Sequence, residues 1–195
     1  MMPWRARETQ PPGTPAKDRD PGKSPPLNSD RTKSVQEFID RFLASPAGKD
    51  ASDERLVVDA FGDGESAKMA DDLLALVLAG TKTATCMSAW SWDHEFEVPL
   101  APGMLSVIVD GSRNPRCVVE TISVEEVPYR EVTADFARAE GEHSPFDLDD
   151  DSVLKHWRTG HWAFFSKTLP LIDREPSQDM PVLCERFKVI YTEDR

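Results

Sequence analysis

Leu73 to Ala79 is the longest unbroken apolar run in this chain, seven residues, and it closes a stretch in which Ala70, Leu73, Leu74 and Val77 recur at helical intervals. A helix that crosses a bilayer needs about 20 apolar residues, so this run is too short to span one. It reads instead as the inward face of an amphipathic helix. The spacing predicts that helix over about Glu65 to Ala79, with Gly80 just beyond its end, where a left-handed glycine closes the last turn.

The rest of the ordered sequence alternates less regularly. Ser34 and Glu37 have the spacing of a capping box, and Val35, Phe38, Ile39 and Phe42 follow at helical intervals, predicting a short helix that ends near Ser45 and Pro46. Leu56, Val57, Val58 and Phe61 predict a strand, stopped by the turn signal Gly62-Asp63-Gly64. Met104 to Val109 and Arg116 to Val124 predict a hairpin across Asp110-Gly111. Helices over about Thr133 to Glu140 and Ser152 to Lys167 and a last strand from Val182 to Tyr191 complete the chain. Helices do not alternate regularly with strands, so the order predicts an α+β fold with a curved sheet or small barrel rather than a doubly wound parallel sheet.

Seven prolines fall within the first 26 residues, among Gly, Ser and mixed charge. Such a segment cannot bury enough surface to offset its ordering entropy, so residues 1–33 are expected to be a disordered tail ahead of one folded domain over 34–195. The N-terminus lacks the apolar core of a secretory signal, and Cys86, Cys117 and Cys184 lie far apart with no CxxC pair, which together predict a cytoplasmic protein with buried, inert thiols. Charge narrows the partners. The chain carries −12, and residues 1–34 hold seven Lys/Arg against four Asp/Glu, so the remainder carries −15. A protein that grips nucleic acid through phosphates needs a basic face. Any RNA contact here must use a local basic patch, the tail, or a pocket for a single nucleoside.

Several polar groups can carry chemistry. In Gly80-Thr81-Lys82-Thr83-Ala84-Thr85, Lys82 either rests against the carbonyls of the helix end or, partly desolvated, acts as base for the Thr85 hydroxyl. Residues three apart on an extended strand face opposite ways, so the second reading requires a bend between Gly80 and Thr85. Glu140, at a helix end beside Gly141, is either a solvated charge or, facing a lysine, an acid or an orienting group. Trp90 and Trp92 share a face if their stretch is extended, as core or as a stacking platform for a base. His161 follows Trp157 by one helical turn, while His94, His143 and His156 lack zinc-site spacing. Asp147 and Asp149 to Asp151 lack the glycine and terminal glutamate of a calcium loop and read as a solvated run, so neither metal nor cofactor is expected.

Taken in order, Leu76 to Thr85, Pro102-Gly103, Val118-Val119-Glu120-Thr121, Val127-Pro128-Tyr129, Phe136-Ala137 with Glu140-Gly141, and Trp157-Arg158 with His161 and Phe164-Phe165 resemble the ASCH domain over about Leu56 to Tyr191. The resemblance implies a PUA-like β-barrel or curved sheet with flanking helices, and a cleft for a nucleoside or single-stranded RNA. Small bacterial members include an amidohydrolase of N4-acetylcytidine, and matching motif by motif implies Lys82 as base, Thr85 as nucleophile and Glu140 as proton donor. Trp90 and Trp92, from the stacking reading, and Glu120, Trp157 and His161, from the matched motifs, are the expected substrate-binding residues. Other members are linked to RNA binding without catalysis or to metal-independent RNA cleavage. This chain looks like the larger branch, which often has a serine four residues before the tryptophan; here that position is Val153, with Ser152 beside it.

Overall fold

The computed structural model describes residues 32–52, 56–62, 66–96, 98–142 and 148–193. The expected tail lies almost wholly outside them, as do His143 and Asp147. The frame is one five-stranded mixed sheet in the order β1-β3-β4-β5-β2, made of β1 (Leu56–Asp59), β2 (Ala84–Ser88), β3 (Leu105–Val109), β4 (Pro115–Pro128) and β5 (Pro181–Thr192). Only β1 and β3 run parallel; the other neighbours are antiparallel. The sheet is open, with β1 and β2 as its two edges, so of the two expected shapes the curved sheet is the one formed. Its bending follows from β4, a long strand whose register on β5 shifts between Val118 and Val119 and again between Thr121 and Ser123.

Period-two alternation along the central strands sends side chains to helices on both sides. Val107 and Val109 pack with Leu56 and Val118 against Val35, Phe38, Ile39 and Phe42 of α1 (Lys33–Ala44). Their neighbour Ile108 points the other way, with Cys117, Val119 and Phe187, onto Leu74 and Val77 of α2 (Ala67–Leu78). Ala84, Cys86, Val182 and Cys184 meet Phe136 and Ala137 of α4 (Ala134–Ala139) and Val153, Trp157 and Phe165 of α5 (Asp150–Thr168). Leu183, on the opposite side of β5, packs with Ala89 and Trp92 of α3 (Ala89–Glu95). No helix among the described residues is long and apolar enough to cross a membrane.

Two local expectations are corrected. The cap of α1 is Thr32, whose hydroxyl accepts from the Val35 amide, and Ser34 lies inside the helix. Trp90 and Trp92 lie on a helix rather than a strand. At 100° per residue, positions two apart point to different sides, so the two indoles do not form a shared platform. Ser88 starts that helix by accepting from the Trp90 amide.

Candidate functional site

The site begins where α2 stops. Gly80 takes a left-handed φ of 73°, and the amides of Thr81 and Lys82 both donate to the Leu76 carbonyl, at 2.9 and 3.1 Å. The chain then turns outward. Thr83 donates its amide to Ala139 at the end of α4 and accepts from the Phe187 amide of β5. These bonds tie the loop between a helix end and the sheet, so Lys82 leaves a backbone fixed at both ends. Gly141 makes the close approach possible. Its φ is +70°, and a Cβ there would lie 2.5 Å from the Thr81 carbonyl oxygen, which excludes every other residue without movement.

Lys82 is 2% exposed. Its ammonium lies 2.6 Å from Glu142 Oε1 and 3.9 Å from Glu140 Oε1, and 5.6 Å over the ring of Phe61. Glu140 is the C-cap of α4 and 1% exposed. A carboxylate at the negative end of a helix and out of water is doubly disfavoured, and its surroundings compensate. Trp157 Nε1 donates to Oε2, and His161 Nε2 stands 3.3 Å from the same oxygen. Burial pushes the Glu140 carboxyl up, but the charges of His161 and Lys82, with the hydrogen bonds of His161 and Trp157, hold it below its ordinary range. Glu140 therefore rests ionised.

His161 and Trp157 stack with ring centroids 4.1 Å apart on successive turns of α5. Nδ1 of the imidazole faces the Trp157 carbonyl at 3.1 Å and Nε2 faces Glu140. With an acceptor on each ring nitrogen, both want a hydrogen, which favours the imidazolium. Burial works against that charge, but the carboxylate of Glu140, with Glu142 beyond it and the Trp157 carbonyl, raises the His161 pKa above its usual 6.5. Glu140 thus stands between His161 and Lys82, and Lys82 between Glu140 and Glu142.

The expected bend is present at Gly80, but β2 begins at Ala84, and Thr85 lies within it. Ala84 and Cys86 face the core around Trp157, so Thr85 faces the other side of the strand, where its register partner is Glu185. Among the described residues Thr85 makes no side-chain hydrogen bond to Lys82 or Glu140. What Lys82 and Thr85 share is Glu185, which is 8% exposed and accepts from the Thr121 hydroxyl at 2.5 Å. Burial raises its pKa; Thr121 opposes, Asp59 adds to the rise, and Lys82 lowers it. Asp59, at the end of β1, is solvent-exposed and accepts from the Ala60 amide.

The remaining expected residues divide. Trp157 and His161 join the Lys82 and Glu140 cluster. Glu120 does not: it forms a 2.8 Å ion pair with Lys188, its register partner on β5. Trp92 is buried with its indole donating to the Val98 carbonyl and its ring on Phe96. Trp90 packs against the α5 core with Arg174 over its face at 5.2 Å. Val153 is buried, and the Ser152 hydroxyl binds Asp149 at the start of α5. Val153 has no hydroxyl, and that of Ser152 is engaged with Asp149, the cap of α5. Sequence reasoning missed Glu142, Thr121 and Glu185. For Glu185 a signal existed, a carboxylate between apolar neighbours in a strand whose other residues on that face, Leu183 and Phe187, are core.

A cavity of about 540 Å3 runs past Gly80, Lys82, Thr83, Arg116, Phe187 and Lys188, giving the loop an open flank. A second, of similar volume, lies against Tyr129, Arg158 and Trp162 and touches none of the expected residues. All three cysteines are buried and free. Burial, a bond to Cys184 and the nearby Glu140 raise the Cys86 thiol well above its ordinary value, so it is not a nucleophile. Among the described residues no group of three His, Cys, Asp or Glu is placed to hold a metal ion.

Comparison with known proteins places the fold. A model of the ASCH domain family matches residues 56–191. The structure of a protein from Enterococcus faecalis V583 is similar over 84% of this chain and 96% of its own, with 31% identity and a TM-score of 0.69. An ASCH domain from Lactobacillus crispatus JV V101 is similar over 85% of this chain and 99% of its own, with 26% identity and a TM-score of 0.71. No curated protein matches the chain.

Proposed function

Because the chain belongs to the ASCH domain family, we propose that its Lys82 site takes a modified nucleoside, free or presented by single-stranded RNA, and hydrolyses an acyl group from it, with N4-acetylcytidine as the reference substrate. One observation carries the reading: a lysine 2% exposed lies 3.9 Å from a buried glutamate that a tryptophan and a histidine also address. Buried ions cost several kcal/mol each before pairing, and apolar residues of equal volume would hold a fold as well. Such a cluster beside a cavity fits a reactive centre. The charge of −15 outside the first 34 residues favours one nucleoside over a long phosphate backbone. Residues 34–195 are the unit that acts, and 1–33 an accessory tail.

The chemistry follows from the resting charges. Lys82 and Glu140 rest as an ion pair, so neither is at once the base or the donor the reaction needs. A substrate that fills the space beside Lys82 removes water and favours the neutral pair, with the 3.9 Å gap closing to hydrogen-bonding distance as the proton passes from Lys82 to Glu140. The Thr85 hydroxyl then attacks the acyl carbon and Lys82 takes its proton. The C–N bond breaks as Glu140 returns its proton to the leaving amine, leaving an acyl ester on Thr85 and the original ion pair. Water, losing a proton to Glu140, cleaves the ester; that proton restores the threonine hydroxyl. His161 and Trp157 hold Glu140 in place throughout.

The test is turnover of N4-acetylcytidine followed by mass spectrometry of the quenched protein. Wild type should release cytidine and carry, transiently, the added mass of one acetyl group on the peptide holding Thr85. Thr85→Val should do neither. Unchanged turnover by Thr85→Val would remove the nucleophile.

A further inference from the structure

We infer that Glu185 is a substrate-contacting residue of this site, offering its carboxyl to the hydrogen-bonding edge of the nucleobase. The inference rests on the nucleoside reading above and extends it to a second carboxyl, on the face of the β2–β5 pair that Thr85 shares. The placement argues for it. Glu185 is the cross-strand partner of Thr85, so the two side chains stand side by side, with Cβ atoms about 5 Å apart in such pairs. A base whose acyl carbon reaches the Thr85 hydroxyl therefore brings its edge within reach of the neighbouring carboxyl.

The hydrogen-bond inventory leaves Glu185 with capacity to spare. A carboxyl group offers about four lone-pair sites, and the Thr121 hydroxyl at 2.5 Å uses one, on Oε1. Thr121 is itself 2% exposed, so this bond is buried and fixes the direction of the carboxyl. Among the described residues the charged groups acting on it are Lys82, from the loop before β2, and Asp59, from β1. Thr121 of β4 and Thr85 of β2 are polar without charge. Burial and Asp59 favour the neutral acid, the Thr121 hydroxyl and Lys82 the anion, and the net direction is upward from the ordinary 4.5.

A neutral carboxyl presents one acceptor and one donor side by side. That pattern matches a base edge with an amide N–H next to a ring nitrogen, as in a cytosine acylated on its exocyclic amine. An ionised carboxyl can only accept. The side-chain amide of glutamine keeps both a donor and an acceptor in the same shape, which separates hydrogen bonding from charge.

The experiment is calorimetric binding of N4-acetylcytidine to the full chain at pH 5 to 8, with Thr85→Val in every protein so that the ligand is not turned over. The protein with Glu185 and Thr121 intact serves as wild type and is compared with Glu185→Gln, Glu185→Ala and Thr121→Val, each checked for folding by its melting transition. Glu185→Gln should bind within about twofold of wild type at low pH and hold its affinity as pH rises, while wild-type affinity falls relative to it. Glu185→Ala should bind about tenfold more weakly or worse throughout, the cost of a hydrogen bond left unmade at a buried position. Thr121→Val, which leaves the carboxyl in place but undirected, should fall between. Glu185→Ala binding like wild type overturns the inference and leaves the nucleoside reading intact. So does a Glu185→Gln profile that tracks wild type at every pH. Absence of binding by wild type overturns both.

Discussion

At the scale of single residues, Glu140 determines the state of its neighbours. It is the shared counter-ion of Lys82 and His161 and the acceptor of the Trp157 indole, so removing its charge should register on a residue it does not bond covalently. In Glu140→Gln, burial of His161 acts without its main compensation, and the imidazole pKa should fall from above 6.5 to that value or lower; NMR titration of the ring protons reads it directly. The signs of the stability effect differ for the two partners. Glu140, held below its ordinary 4.5, contributes stability that is present above that pH and is lost as pH falls through its lowered value. His161, held above its ordinary 6.5, contributes stability present below that pH and lost as pH rises through its raised value. Their joint contribution is greatest between the two ordinary values. Denaturant unfolding at pH 5.5 should therefore find Glu140→Gln destabilised by about 3 kcal/mol, the cost of breaking a buried charge pair. A smaller difference at pH 9, where His161 has lost much of its charge, completes the signature. A wild-type His161 that titrates as an exposed histidine does would contradict this account of the cluster.

At the scale of elements, the site depends on how the ends of α2 and α4 are stitched together. Thr83 bonds the last turn of α4 and Gly141 lies against Thr81, so a change in one loop displaces the other. Gly141→Ala puts a side chain where φ is +70° and a carbonyl oxygen is 2.5 Å away. It should cost about 2 kcal/mol or more from the left-handed backbone and the forced separation together. Activity should fall further than stability does, because Lys82 leaves the same loop; the pair of urea midpoint and turnover measures this. The α2 end was legible in the sequence, since the apolar stripe and Gly80 obey local rules. So was α5, where a tryptophan and a histidine one turn apart must share a face. The segment from Ala84 to Glu95 was not. Its strand passes into a helix within one residue, at Ser88, and neither piece is long enough for a period to emerge. Ser34 has the better-known spacing to Glu37, but the cap has to stand outside the helix, and Thr32 does.

At the scale of the whole molecule, an open curved sheet with helices on both sides brings together residues far apart in the chain. Lys82 meets Glu140 and Glu142, Glu140 meets Trp157 and His161, and Thr121 meets Glu185 across 64 residues. That explains which members of the site the sequence disclosed. Lys82, Glu140, Trp157 and His161 lie in short motifs at helix ends and on one helix face, where local chemistry marks them. Glu120 lies in such a motif too, yet strand register turns it toward Lys188. Glu185 is marked in the sequence only as a carboxylate on an apolar strand face, and its partners Thr85 and Thr121 come from the pairing of β5 with β2 and β4. The function proposed here needs the Lys82 amine to exchange a proton inside a site it shares with carboxylates and a threonine. Turnover of N4-acetylcytidine to cytidine by wild type and by Lys82→Met, which keeps most of the buried volume and removes the amine, tests that most directly. The account predicts turnover by wild type and a loss of about a hundredfold or more in the variant, the scale of a lost acid–base group. Equal rates in the two proteins, or no cytidine from wild type, would contradict it.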